Sequence, residues 1–312
     1  MPPKIGYLLP TRELIMEGRH DAASLLALAE RAEALGYASV WVGDSVLARP
    51  RHDPLTLLAA VAARVPRVML GTAVLLPALR NPVLLAHQVA TLDQVSQGRL
   101  ILGVGIARDV PNIRAEFAAC GVPFEKRVGR MMEGLRLCRA LWSGEPVDWD
   151  GRWPVQQGVL APTPHRPGGP PVWIGGNTAA SLERVAKWFD GWFPNAPDPA
   201  TFASQLHDIH TTARSVGRDP AQLSAAMYLT LSVDDDAARA SARMDTFLQG
   251  YYAAPAEVLR RRQAVYSGPV EGAMQWIDGY AKAGATDLIL RFAGDHERHL
   301  EMLASVRTAA ER

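Results

Sequence analysis

Leu70 to Pro82, reading L-G-T-A-V-L-L-P-A-L-R-N-P, limits the possible folds more than any other stretch. Val68, Met69 and Leu70 lead into Thr72–Leu76, apolar on both faces as a strand of a covered parallel sheet must be. Pro77 cannot donate to a sheet ladder, so the strand ends there. Asn81-Pro82 is a helix cap with proline at the first helical position, ahead of Val83, Leu84, Leu85 and Ala86. The chain thus crosses a sheet, bends at its carboxyl end and turns directly into a helix. In parallel α/β proteins that end is where ligands bind.

The same rhythm runs through the whole sequence. Ile5–Leu9 is a short apolar strand closed by Pro10, followed by a polar loop to Gly18 and a helix over Asp21–Leu35. Ser39–Val42 is the second strand, ending in Gly43-Asp44-Ser45, and Asp53-Pro54 opens the next helix. Leu100–Val104 is the fourth strand. Gly105–Gly121 is expected to be irregular. A long helix over Glu125–Trp142, a small hairpin over Asp148–Leu160 around Gly151 and a stiff proline-rich connector over Ala161–Pro171 follow. Further strands are expected at Val172–Ile174, Asp190–Pro194, Leu223–Val233 and Asp287–Arg291. Helices lie between them, the one over Asp234–Arg262 interrupted near Gly250, Tyr251, Tyr252 and Pro255. Eight strands and about eight helices in 312 residues favour an α/β protein of the (β/α)8 TIM-barrel class with insertions at the C-terminal face, one domain over 1–312, above an open doubly wound sheet.

Composition removes several function classes. A formal net charge of +1 offers no attraction to nucleic acid or polyanions. No apolar run reaches ~18 residues, so no membrane span is expected, and Met-Pro-Pro-Lys is not a signal peptide. Cys120 and Cys138 form no C-x-x-C, and no histidine pair has zinc-ligand spacing, so no metal site is expected. A reduced cytoplasmic protein is the plain expectation.

No G-x-S-x-G, Walker loop, H-E-x-x-H or carboxylate cluster stands at the strand ends. A strand-end surface without nucleophile, metal or acid pair points to a bound cofactor as the source of reactivity. Gly103-Val104-Gly105 is an incomplete dinucleotide fingerprint, and Gly105 suits a strand end where a flat ligand or backbone comes close. Gly175-Gly176-Asn177-Thr178 hands a strand to a helix whose first N–H groups lack partners, an anion site with Thr178 and Ser181 hydroxyls in reach. An ordinary capped glycine turn is the alternative. Asp44, at a strand end, orients a substrate or caps the following loop. Arg291 puts a charge at the end of the last strand, where a site role is favoured. Arg49, Arg51, Arg108 and Arg114 either gather at an acidic ligand or are solvated loop charges, and Arg127 and Arg130 either reach the phosphate or pair at the surface.

The runs W-V-G-D (41–44), D-P-L-T-L-L-A-A (53–60), L-G-T-A-V-L-L-P (70–77), N-P-V-L-L-A-H-Q (81–88) and A-T-L-D-Q-V-S-Q-G-R-L-I-L-G-V-G (90–105) resemble the bacterial luciferase-like monooxygenases. The likeness continues through G-V-P-F (121–124), A-L-W-S-G (140–144), P-V-W-I-G-G-N (171–177) and D-G-W-F-P (190–194). The resemblance implies a TIM barrel and either reduced FMN with oxygen or the deazaflavin F420. It also implies a non-prolyl cis peptide at Ala73–Val74 backing the isoalloxazine ring, and a phosphate held at Gly175, Gly176, Asn177 and Thr178. One departure matters. Many F420-using relatives carry a histidine after the acidic residue that ends strand two, whereas this chain has Asp44-Ser45-Val46 and so lacks that proton-handling group. The expectation is therefore a reduced-FMN monooxygenase acting on a small organic substrate, with Asp44, Ser45 and Arg291 at the chemistry and Gly105 beside the cofactor. A separate flavin reductase would supply the FMN. F420-dependent reduction or dehydrogenation is the alternative, and a non-catalytic flavin-binding relative a further one. Family members are often dimers, which implies a possible homodimer. The segment over 245–270, with Tyr251, Tyr252 and Tyr266, is the expected mobile lid.

Overall fold

The computed structural model describes residues 2–310. Among these the strands are β1 (Lys4–Leu8), β2 (Ser39–Val42), β3 (Met69–Thr72), β4 (Leu100–Val104), β5 (Val147–Trp149), β6 (Val155–Gly158), β7 (Val172–Ile174), β8 (Gly191–Trp192), β9 (Ser224–Val233), β10 (Val265–Gly268) and β11 (Asp287–Phe292). The helices are α1 (Thr11–Met16), α2 (Ala23–Ala34), α3 (Pro54–Arg64), α4 (Pro82–Val95), α5 (Pro111–Ala119), α6 (Arg127–Leu141), α7 (Ala179–Trp188), α8 (Pro199–Ser215), α9 (Ala237–Tyr252), α10 (Ala256–Arg260), α11 (Val270–Lys282) and α12 (His296–Ala310). The strand order is β10-β9-β11-β1-β2-β3-β4-β7-β8, and β8 also pairs with β9. The β1–β11, β1–β2, β3–β4, β7–β8, β8–β9 and β9–β11 pairs are all parallel. The fold is a (β/α)8 TIM barrel, with β10 and the antiparallel β5–β6 hairpin added to it.

Local chemistry starts the helices where the sequence signals them. Asp53 accepts hydrogen bonds from the amides of Leu55 and Thr56, and Asn81 from those of Val83 and Leu84, each with proline next in line. Asp198 and Asp236 cap α8 and α9 in the same way. Gly98, at φ 76°, follows the end of α4.

The chain divides into two compact units: residues up to Trp41 together with those from Val172 onward, and Val42–Pro171. The first is centred on Trp41, which lies 5.4 Å from Trp173 and 5.1 Å from Phe193, with Phe193 in turn 6.3 Å from Tyr228. In the second, α3, α4 and α6 bury Leu58, Val61, Leu85, Val89 and Leu137. There Trp142 Nε1 donates to the Ala86 carbonyl at 3.0 Å, and Cys138 Sγ lies 3.3 Å from that of Pro82. Burial pushes the Cys138 thiol up to about 12. No helix among the described residues is long and apolar enough to cross a membrane.

Three expectations are corrected, and one strand is added. Residues 105–121 are not irregular throughout, since α5 occupies Pro111–Ala119. Its apolar positions, Ile113 and Phe117, stand four apart with few other apolar neighbours, so the periodic signal is weak. The polar loop before Gly18 contains α1, which begins right after a proline. β3 ends at Thr72 rather than running toward Leu76. A single bridge from Leu75 to Val104 resumes the pairing after the bend. β10, four residues against β9, carried no alternating pattern and was not anticipated. The interruption inside Asp234–Arg262 falls at Ala253, in the left-handed region at φ 52°, two residues before Pro255.

Candidate functional site

In the unit Val42–Pro171, the Ala73–Val74 peptide is cis, as the resemblance implies. Hydrogen bonds grip the bend on both sides of it. The Ala73 amide donates to the Val42 carbonyl (2.7 Å), the Leu75 amide to Gly103 (2.7 Å) and the Gly105 amide back to Leu75 (2.9 Å). Thr72 Oγ1 donates to Gly103 at 2.8 Å. Gly105 is buried, and a Cβ on it would stand 2.5 Å from Val74 Cγ2. Its missing side chain makes room for Val74, so the close approach expected there is made by a protein side chain.

Asp44 sits under this bend. Its side chain is 2% exposed. It takes Arg80 in a two-pronged pair, Nη1 to Oδ2 at 2.5 Å and Nη2 to Oδ1 at 3.1 Å, and accepts the Leu76 amide at 2.9 Å. Burial works against the Arg80 charge, but Asp44 and then Asp53 overcome it and raise its pKa. The carboxylate is thus committed to holding the strand end and loop together. Ser45 is buried as well; its hydroxyl donates to Glu116 Oε1 at 2.8 Å and accepts the Arg49 amide at 2.8 Å. Glu116 Oε1 also accepts the amides of Val46, Leu47 and Ala48 at 2.6–3.1 Å. Neither Glu116 nor Arg80 was singled out from sequence. Glu116 lay in the stretch expected to be irregular, and its only signal would have been a lone carboxylate on an unrecognised helix.

Arg127 and Arg130, considered for the phosphate, and Arg114, considered for an acidic ligand, are engaged elsewhere. Arg127 donates to the carbonyls of Ile106 and Phe124 and lies 3.8 Å over the Phe124 ring. Arg130 stacks on Trp153, and Arg114 bridges Asp109 and Glu125 at the surface. Arg108 is exposed.

The unit containing both chain ends holds the other candidates. Gly175, Gly176, Asn177 and Thr178 lead from β7 into α7. Gly176 has φ 113°, and a Cβ there would come 2.8 Å from Ser181 Oγ, so the position requires glycine. Trp192 Nε1 donates to the Gly176 carbonyl at 2.8 Å and fixes that peptide. Thr178 is the N-cap, its Oγ1 2.9 Å from Ser181 Oγ and accepting the Ser181 amide. The amides of residues 176–180 donate to no group among the described residues, and these residues are exposed. A cradle of free N–H groups at the start of a ten-residue helix fits a phosphoryl group.

Arg291, near the end of β11, is 1% exposed. Nη2 donates to Thr230 Oγ1 at 3.1 Å and reaches Gln263 Oε1 at 3.5 Å. Rings of Tyr228, Phe247, Tyr251 and Tyr252 surround the guanidinium at 4.6–5.5 Å. A cavity of about 540 Å³ in this unit is lined by Glu13, Glu17, Arg19, Arg31, Phe247 and His296, among others. Among the described residues no group of histidine, cysteine and carboxylate side chains could hold a metal ion.

The sequence profile of the luciferase-like monooxygenases matches residues 3–310. The chain belongs to that family. As a luciferase-like protein it is an enzyme of the oxidoreductase class, similar over 97% of its length to the F420-dependent glucose-6-phosphate dehydrogenase of Kineococcus radiotolerans, with 28% identity and 96% of that protein covered. It is 32% identical over 212 residues to the 5,10-methylenetetrahydromethanopterin reductase of Methanolobus tindarius, a match spanning 68% of this chain and 62% of that protein. Among luciferase-like structures, the monooxygenase RslO1 of Streptomyces bottropensis superimposes with a TM-score of 0.82 at 23% identity, covering 99% of this chain and 100% of that one.

Proposed function

We infer that this luciferase-like enzyme is an F420-dependent reductase or dehydrogenase acting on a small organic substrate. The observation that carries the reading is the relative that matches nearly end to end and bears an F420-dependent name. The expectation of reduced FMN with oxygen moves to second place. When bound, the deazaflavin accepts or donates a hydride. The free amides of residues 176–180 and the cap of Thr178 take the phosphoryl group of the cofactor tail, with Trp192 holding the Gly176 peptide in place. The Ala73–Val74 bend is the backing that the resemblance assigns to the ring. Asp44 and Ser45 act as positioning residues, because Arg80 and Glu116 already occupy their polar atoms.

One feature favours the second reading. Position 45 carries a buried serine bonded to Glu116 where many F420-using relatives have histidine. A monooxygenase would depend on reduced FMN from a separate reductase and would need an orienting wall more than a proton-transfer group at position 45. Titrating the apo-protein with F420 and FMN side by side decides between them. F420 is expected to bind at least tenfold more tightly, and its visible absorbance to fall when the oxidised cofactor takes hydride from an oxidisable substrate or to rise when the reduced cofactor gives hydride to a reducible one. Binding of FMN without F420, with oxygen uptake when a flavin reductase and NADH are supplied, would overturn the first reading.

A further inference from the structure

Arg291 is the most unusual charge in the molecule. A guanidinium 1% exposed has left water, and among the described residues no carboxylate lies within 4 Å of it. Buried charges are normally paired. Of the groups that favour its charged form against burial, Tyr228 stands first, then Tyr252 and Tyr251, with Glu13 the carboxylate among them. The ring faces and the Thr230 hydroxyl compensate part of the charge, but Nε of Arg291 remains without a hydrogen-bond acceptor. Gln263 is 4% exposed, and its Nε2 is likewise without one, although its Oε1 is turned to Arg291. Three neighbouring strands place these groups: Arg291 in β11 stands opposite Thr230 in β9, Thr230 stands opposite Val265 in β10, and Gln263 precedes β10 by two residues.

We propose that Arg291 and Gln263 form an anchor for a carboxylate group on the substrate, with the rings of Tyr228, Phe247, Tyr251 and Tyr252 as its apolar walls. Two buried donors lack acceptors and one of them is cationic, and a carboxylate has two acceptor oxygens and the opposite charge. The aromatic faces suit a flat or unsaturated body attached to it. Phe247, Tyr251 and Tyr252 belong to the last turns of α9, so an incoming carboxylate displaces a ring from the guanidinium rather than filling an open void. Sequence alone suggested a site role for Arg291. The structure adds Gln263, which no motif marked.

This names the substrate class of the oxidoreductase proposed above and rests on that reading for its use in turnover, but binding tests it independently. Benzoate, benzamide and inorganic phosphate would be titrated onto the protein with and without F420, with intrinsic fluorescence and thermal shift as readouts. Benzoate is expected to raise the melting temperature and bind at least tenfold more tightly than benzamide. Gln263→Leu should weaken benzoate about tenfold, and Arg291→Met should abolish the response while melting no lower than the parent without ligand. Equal binding of benzoate and benzamide, or benzoate binding unchanged in both variants, would overturn the proposal. A phosphate response lost in Arg291→Met, with none to benzoate, would overturn the choice of carboxylate. F420 binding without any benzoate response sinks this inference alone; a benzoate response without F420 binding sinks only the cofactor assignment.

Discussion

The two compact units treat the polar groups at their strand ends in opposite ways. In Val42–Pro171 nearly every such group is answered by protein: Asp44 by Arg80, Ser45 and three successive amides by Glu116, the bend at Ala73–Val74 by backbone bonds on both sides. Here too Trp149 Nε1 is buried without an acceptor, but the unanswered buried carboxylate oxygens, on Glu116 and Asp93, belong to groups whose other oxygen is bonded. In the unit built from both chain ends, five consecutive amides before and within α7, Nε of Arg291 and Nε2 of Gln263 meet no protein acceptor. One unit is a frame completed in advance. The other carries donors that a ligand's anionic groups would complete, which is why a polar atom without a partner means more there than a polar atom as such.

The strongest way to break this contrast is to remove Glu116. Glu116→Ala would leave a hydroxyl and three amides around a buried vacancy, and should cost roughly 3–5 kcal/mol of stability, read as a lower urea midpoint. A loss below 1 kcal/mol would show that the loop after β2 is not held as described. Glu116→Gln, which keeps one acceptor oxygen, should recover part of it.

A smaller effect, in the other unit, follows from His299. It is fully buried, Nε2 accepting the Val233 amide at 2.9 Å and Nδ1 directed at the Asp295 carbonyl, an arrangement that fixes the neutral ring. Burial, against the opposing pull of the Asp295 carbonyl, lowers its pKa from 6.5 to about 4. The unfolded chain takes up a proton below about 6.5 and the folded one does not until about 4. Its share of the stability is therefore full above that window and falls as pH drops through it, by at most about 1.4 kcal/mol per pH unit, and His296, which burial lowers to about 3, adds a share of the same sign. Urea midpoints at pH 7, 6 and 5 test this, and His299→Gln should reduce the slope, leaving the part that His296 contributes.

Gly176→Ala comes next. With φ at 113° and Ser181 Oγ 2.8 Å from the new Cβ, it should cost about 1–2 kcal/mol and weaken F420 binding more than tenfold, measured by fluorescence titration. Thr178→Ala removes the cap of α7 and should cost about 1 kcal/mol with a few-fold loss of affinity. If Thr178→Ala weakened the cofactor more than Gly176→Ala, the side chain rather than the free amides would be the anchor, and the contrast between the units would narrow.

The barrel was legible because its signals are local. Asp53-Pro54 and Asn81-Pro82 are caps that work within three residues, and β2, β4 and β7 are short runs apolar on both faces, recovered at the residues expected. α5 and β10 were missed because neither has a periodic face of its own. The candidate site was legible in part for the same reason. The glycine turn at Gly175–Thr178 comes from contiguous residues, whereas the cis bond at Ala73–Val74 was implied by the family resemblance alone. Arg80 is 36 residues from Asp44, and Glu116 is 71 from Ser45. Nothing in one sequence marks such partners, so Asp44 and Ser45 looked available for chemistry when they are already bound.

Gly105 and Val74 share one small volume, since any atom added at the first must displace a methyl of the second. The two positions are therefore free to drift only as a couple: a line of descent that gains alanine at 105 must first shrink 74, and a designer who enlarges 74 to reshape this wall finds glycine at 105 already spent. Gly105→Ala by itself should disturb the bend, while the same change together with Val74→Ala should restore it. The pair thus sets a fixed upper limit on how bulky that wall can become.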